Sequence, residues 1–134
     1  VLLDTNVVLD VLLDRKPHVA DAARIFRLVE EGRATGLLCA MTPTTLDYLL
    51  TQSLGRPDAR PILAWLLRLF EIAPVTRTVI EGALRSEMAD FEDALLVQAA
   101  RQAGADAVDT RNPKDFAKAA CPIFDPHQFL AQMR

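Results

Sequence analysis

The chain has 134 residues, of which 51% are hydrophobic and 25% are charged, a composition typical of one folded domain and not of a disordered chain. A formal net charge of −3 excludes a polybasic protein but allows a basic rim around an acidic pocket. With no membrane-length apolar run, no targeting leader and two isolated cysteines, Cys39 and Cys121, we expect a cytoplasmic protein with free thiols and no membrane partner.

Short apolar strands alternate with amphipathic helices along the chain. Brief apolar runs bounded by polar residues are typical of buried strands, and apolar residues spaced three and four apart predict helices. In chain order we predict a strand at 1–4, helices at 7–13 and 17–32, a strand at 36–40, helices at 42–55 and around 62–70, a strand at 72–75, helices at 76–85 and 91–103, strands at 105–109 and 123–124, and a terminal helix from 125. This alternation predicts an α/β fold with a parallel sheet covered on both faces.

Polar side chains follow the predicted strands, at the sheet edge where open parallel sheets usually bind ligands. The candidate residues are Asp4 and Asn6 after the first strand, Thr42, Thr44 and Thr45 after the second, and Thr110, Arg111, Asn112, Lys114 and Asp115 after the fourth. The helix predicted at 91–103 runs antiparallel to the fourth strand. Its first turn, which contains Asp90, Glu92 and Asp93, therefore reaches the same edge.

Carboxylates from distant segments are thus predicted to converge, namely Asp4, Asp93 and Asp115, with Asp90 as a fourth. Crowded carboxylates repel one another unless protons or cations intervene. Ligands that are all oxygen favour Mg²⁺ or Mn²⁺, which can activate water for in-line attack on a phosphodiester. Asp10, inside the first predicted helix, is interpreted as a solvated charge on the helix face.

Each acid also has an ordinary structural interpretation. Asp90 and Asp93, taken singly, are typical acids of a helix N-terminus, where the helix dipole favours them. Asp115 can cap a short segment at 116–119. Asp4 is the hardest to explain this way, because it ends an apolar strand, where burying a charge without a partner costs free energy.

The neighbours of the acids leave alternatives open. Asn6, Thr110 and Asn112 are either turn formers or donors that orient the carboxylates. Arg111 and Lys114 are candidate contacts to substrate phosphates, with scattered surface charge as the alternative.

Three acidic segments share a familiar order and spacing: Leu-Asp-Thr-Asn-Val-Val-Leu-Asp at 3–10, Asp-Phe-Glu-Asp-Ala-Leu at 90–95 and Thr-Arg-Asn-Pro-Lys-Asp-Phe at 110–116. Together they resemble the PIN domain family, a nuclease fold found in many toxins of toxin–antitoxin pairs, such as the VapC-like ribonucleases. The resemblance covers the whole chain as a single domain, 1–134. It implies a three-layer α/β/α sandwich with a central parallel sheet of about five strands.

The resemblance also implies a Mg²⁺- or Mn²⁺-dependent endonuclease that usually acts on RNA. By likeness, the metal ligands are Asp4, Asp93 and Asp115, and the supporting polar groups are Asn6, Thr110 and Asn112. A cognate antitoxin protein is the partner that the family implies. A homodimer is also expected, because the short apolar helix at 7–13 can leave an exposed patch.

Position 45 departs from the family pattern. Most PIN nucleases carry Glu early in the helix after the second strand, but Thr45 stands there, and Asp47 lies about 200° further around a helix. Either Asp90 supplies the missing carboxylate, or the site is weaker or inactive, although the subgroup with the segment at 110–116 often lacks this Glu. The leading hypothesis is a metal-dependent endoribonuclease toxin; the alternative is a catalytically degenerate PIN-fold module that binds RNA or a protein.

Overall fold

The computed structural model describes residues 1–133, within which five short strands form one parallel sheet. The strands are β1 (Leu2–Leu3), β2 (Leu37–Cys39), β3 (Glu71–Ala73), β4 (Val108–Asp109) and β5 (Ile123–Phe124). Their order across the sheet is β3-β2-β1-β4-β5, so β1 lies at the centre. In the register, Leu2 pairs with Leu37 on one side and with Val108 on the other.

Helices cover both faces of the sheet. They are α1 (Thr5–Leu12), α2 (Val19–Glu30), α3 (Thr42–Leu54), α4 (Arg56–Leu69), α5 (Arg77–Leu84), α6 (Phe91–Gln102) and α7 (Pro126–Gln132), with a 3₁₀ helix at Pro113–Phe116. Neighbouring strand residues face opposite sides: Leu3 packs with α1 to α4 and α7, and Leu2 packs with α5 and α6. The predicted three-layer α/β/α sandwich is thereby confirmed.

Some predicted boundaries shift by a few residues. The helix predicted at 7–13 begins two residues earlier, at Thr5, because the Asp4 side chain caps α1 there. Asp115 lies inside the 3₁₀ helix, so the interpretation of this residue as the cap of 116–119 was wrong. Cys39 is buried and Cys121 half-buried, and both are free thiols. Over the described part of the chain, no helix is long and apolar enough to cross a membrane.

The segment at 7–13 was predicted to leave an exposed apolar patch, and the structure contradicts this prediction. Val7, Val8 and Leu9 are buried in the core, and the residues that follow them pack against it. The large apolar side chains that do reach the solvent lie elsewhere, for example Leu67 on α4 and Leu84 on α5.

Candidate active site

An acidic cavity of about 260 Å³ lies at the carboxyl edge of the central strands. The carboxyl groups that line it come from Asp4, Glu92, Asp93 and Asp115, and the neutral polar groups come from Asn6, Thr45, Thr110 and Asn112, among others. Within residues 1–133, no lysine or arginine lines it. The topology brings these residues together because β1 and β4 are neighbours and α6 begins at the edge where they end.

Two hydrogen bonds fix the side chain of Asp4 at the carboxyl edge of the sheet. Its Oδ1 accepts a hydrogen bond from the backbone N–H of Thr5 at 2.8 Å, which caps α1, and its Oδ2 accepts one from the Thr110 hydroxyl at 2.8 Å. Burial raises the pKa of Asp4, while these hydrogen bonds and the positive charge of Arg111 oppose the rise. Thr110 therefore acts as a donor that orients the carboxylate.

Asp93 shows the effect of crowding most clearly. Burial, together with the negative charges of Asp90, Asp4 and Asp115, raises its pKa to about 7. A carboxyl group with this pKa is partly protonated at neutral pH, because burial and the neighbouring negative charges disfavour its charged form. The cavity is thus short of positive charge.

Asp90, predicted as a fourth carboxylate of the site, does not line the main cavity, whereas Glu92 does. Asp90 caps α6 by accepting a hydrogen bond from the backbone N–H of Asp93 at 2.9 Å, and it lines an adjoining cavity with Lys114, outside the main one. Asp93 and Asp115 line both cavities. Glu92, which was not selected from the sequence, lines the main cavity; its position in the first turn of α6, beside Asp93, was the available signal.

Asp10 was interpreted as a solvated charge, and this was wrong, because its side chain is completely buried. Its Oδ1 accepts a hydrogen bond from Nε of Arg15 at 2.9 Å, and Nε of Arg111 lies 3.1 Å from its Oδ2 as an ion pair without hydrogen-bond geometry. Arg111, a predicted phosphate contact, lines a separate cavity and not the acidic one. The signal in the sequence was an acid inside an apolar helix with an arginine five residues later.

Asp109, at the end of β4, is a second buried acid that the sequence left without a role. Its side chain is completely buried, and within residues 1–133 neither carboxyl oxygen has a hydrogen-bond partner. Burial raises its pKa to about 8, and the negative charges of Asp125 and Asp4 contribute. The group is therefore largely neutral at pH 7, so it adds little negative charge to the cavity beside it.

The chemistry of the cavity fits a hard divalent cation. The side-chain donors are carboxylate, amide and hydroxyl oxygens, which Mg²⁺ and Mn²⁺ prefer, and the raised pKa of Asp93 reflects a need for positive charge. In the present side-chain positions, no three acidic, histidine or cysteine side chains of residues 1–133 are close enough to ligate one ion. The acids would have to draw closer together for three of them to ligate the same ion.

Several solved structures share this fold across nearly the whole chain. A toxin–antitoxin complex from Klebsiella pneumoniae contains a chain with 22% identity and a TM-score of 0.71, over 93% of this chain and 96% of that one. FitAcB from Neisseria gonorrhoeae gives 23% identity and a TM-score of 0.71, over 94% and 97%. VapBC2 from Rickettsia felis, bound to a DNA fragment from its promoter, gives 16% identity and a TM-score of 0.68, over 92% and 96%.

The sequence comparisons agree with the fold. No curated protein matches the chain significantly. A sequence model of the PIN domain matches residues 1–114, which include the strands β1 to β4 and most of the residues that line the acidic cavity. Since this match spans far more than half of the chain, the protein belongs to the PIN domain family.

Proposed function

We propose that the protein is a divalent-metal-dependent endoribonuclease that hydrolyses phosphodiester bonds of RNA. The observation that carries the proposal is the acidic cavity, in which carboxyl groups from three separate segments meet with no basic side chain of the described residues among them. Such an arrangement costs stability unless a cation compensates it. A site that gathers a hard cation in an open cleft suits a phosphate-containing substrate.

In this proposal Asp4, Asp93 and Asp115 hold Mg²⁺ or Mn²⁺. The cation would supply charge stabilisation for the phosphodiester and an acidified water. Thr110 keeps the Asp4 carboxylate oriented through its hydroxyl hydrogen bond. Asn6 offers an amide at the cavity wall, so it can contact the substrate or a water.

The remaining neighbours take secondary roles. Asn112 lines the cavity and its carbonyl accepts a hydrogen bond from the backbone N–H of Asp115, which fixes the start of the 3₁₀ helix. Lys114 lines the adjoining cavity with Asp90, where it can contact a phosphate of the RNA backbone next to the scissile one. Asp90 assists by capping α6 and so placing Asp93.

The proposed biological role is that of a toxin that an antitoxin protein inhibits, acting on RNA in the cytoplasm. Support comes from the structural neighbours, among them the toxin–antitoxin complex from Klebsiella pneumoniae. A homodimer is proposed as well, because large apolar side chains such as Tyr48, Leu67 and Leu84 are exposed. Sedimentation velocity tests the dimer, and a monomer at high concentration would contradict it.

The nuclease is tested by incubating the purified protein with mixed-sequence single-stranded RNA in Mn²⁺, in Mg²⁺ or in EDTA. We expect cleavage with metal only, and none from Asp93→Ala. The matched control is Asp47→Ala, which removes an acid from α3 that does not line the cavity and should leave cleavage unchanged. Cleavage in EDTA, or by a folded Asp93→Ala variant, would contradict the proposal.

A catalytically degenerate module that binds RNA or a protein is the second candidate. The specific observation in its favour is that Thr45, and not a glutamate, lines the cavity, while the acids are spread too far to share an ion in their present positions. Calorimetric titration with Mn²⁺ separates the candidates. A nuclease binds the ion and loses this binding in Asp93→Ala, whereas a degenerate site gives no heat of binding in either protein.

A further inference from the structure

The buried carboxylate of Asp10 lies between two arginines from distant segments. Arg15 follows α1 in the chain, and Arg111 lies in the loop between β4 and the 3₁₀ helix. Their Nε atoms approach the two different oxygens of the Asp10 side chain, at 2.9 Å and 3.1 Å respectively. We call these three residues, Asp10, Arg15 and Arg111, the Asp10 clamp.

Each arginine of the clamp is connected to a wall of the acidic cavity. Nη2 of Arg15 donates to the backbone carbonyl of Asn6 at 3.1 Å and lies 3.4 Å from its side-chain oxygen, and Asn6 lines the cavity. Arg111 stands in the chain between Thr110, whose hydroxyl holds Asp4, and Asn112, whose N–H donates to that same hydroxyl at 3.2 Å. The clamp therefore joins the segment that contains Asp4 to the segment that leads to Asp115.

Stability alone is a poor explanation for such an arrangement. Burying two charges costs hydration free energy that is scarcely offset by their mutual attraction. A buried ion pair can therefore often be replaced by apolar side chains without a loss of stability. The advantage of the clamp is geometric, since one carboxylate holds both arginines, through a hydrogen bond from Arg15 and an ion pair with Arg111, and so ties together the two segments that carry them. Those two segments supply Asp4 and Asp115.

We propose that Asp10 is a positioning residue, which acts through Arg15 and Arg111 to hold the β1–α1 segment and the β4–3₁₀ loop at the spacing that the acids of the cavity need. The inference rests on the proposed function for its effect on metal and RNA, but the positioning itself does not depend on activity. It also gives Arg111 a role other than the phosphate contact expected from the sequence.

The test measures hydrogen–deuterium exchange of the backbone at 110–116 together with Mn²⁺ affinity and the kcat and KM of RNA cleavage. In Asp10→Asn, which keeps the shape of the side chain but removes its charge, exchange at 110–116 should become faster. Mn²⁺ affinity and kcat should fall about 10- to 100-fold, as is typical when a residue that orients metal ligands is lost. KM should change less, because none of the three clamp residues lines the acidic cavity.

Arg111→Gln keeps the test valid if Asp10→Asn does not fold, since the Arg111 side chain is 25% exposed and tolerates replacement more readily. Arg111→Lys, which retains the positive charge, should recover part of the loss. The matched control is Glu81→Gln, which breaks the exposed pair of Arg77 and Glu81 at 2.8 Å on α5, far from the clamp. All measured quantities should stay at wild-type values in this control.

The outcomes separate the two proposals. Faster exchange at 110–116 in the folded Asp10→Asn or Arg111→Gln variant, with none in Glu81→Gln, supports the clamp whether or not RNA is cleaved. Unchanged exchange in both folded variants overturns it, even if the wild-type protein is an active nuclease. A wild-type protein that neither binds Mn²⁺ nor cleaves RNA contradicts the proposed function, and the exchange data still decide the positioning role.

Discussion

Asp4 and Asp10 lie near opposite ends of α1, and their carboxyl groups have opposite electrostatic surroundings. Asp4 faces a cavity that no basic side chain of the described residues lines, and only neutral donors hold it. Asp10 is completely buried between two arginines. Because both arginines pair with Asp10, their side chains are held outside the acidic cavity, whose lining stays negative and suited to a cation.

The comparison predicts its largest effect at the cavity. Asp4→Asn retains a side chain that caps α1 well but removes the charge that a metal requires. We expect RNA cleavage to fall by more than about 100-fold, because loss of a direct ligand exceeds the effect of losing a residue that merely orients one. The melting temperature of the metal-free protein should change little. Asp14→Asn, an exposed acid beyond α1, is the control.

The clamp predicts a large effect on stability. Asp10→Ala leaves two arginines without their buried partner, and we expect the free energy of unfolding to fall by about 3 kcal/mol, the lower end for a broken buried pair. The lower end applies because the side chains of Arg15 and Arg111 are 34% and 25% exposed and can turn towards water. Urea denaturation measures this loss; an unchanged midpoint would contradict the electrostatic role of Asp10.

Asp109 sharpens the comparison, because it is completely buried and no group of the described residues donates a hydrogen bond to its carboxyl oxygens. Its pKa is near 3.8 in the unfolded chain and about 8 in the folded one, so the folded state holds an additional proton between these values. Stability should therefore fall as pH rises through this window and level off above it. Asp109→Asn should flatten the decline, as urea denaturation in EDTA at about pH 5 and about pH 8 would show. An equal decline in wild type and variant would contradict the assignment.

The smallest predicted effect has the opposite sign to that of the clamp. Asp93→Asn removes a carboxyl group whose raised pKa shows that its surroundings disfavour the ionised form. The metal-free protein should therefore become slightly more stable at about pH 8, where this group is ionised in the wild type. The loss of a favourable acid from the first turn of α6 opposes this gain and keeps it small. Thermal unfolding in EDTA gives the measurement. A lower melting temperature would mean that the cavity carboxylates are not destabilised by one another.

Much of the fold and the candidate site was predictable from local patterns. Apolar spacing gave the order of strands and helices, and polar residues after the strands indicated the edge where Asp4 and Asp115 lie. Asp93 was placed correctly at that edge because an antiparallel helix must begin where its following strand ends. Asp90 was harder, since the same spacing suits a cap and a cavity residue, and only its hydrogen bond to the N–H of Asp93 distinguishes them.

The sequence by itself determined the layers of the fold, the parallel sheet and the approximate edge of the site, because these follow from hydrophobic periodicity and chain connectivity. Only the tertiary structure decided which charges meet. Asp10 and Arg111 are 101 residues apart in the sequence. Nothing local distinguishes Asp10 from other acids on helices, and it is the pairing of β1 with β4 that brings the arginine next to it. Electrostatic environments depend on burial and on partners from distant segments, which no local pattern records.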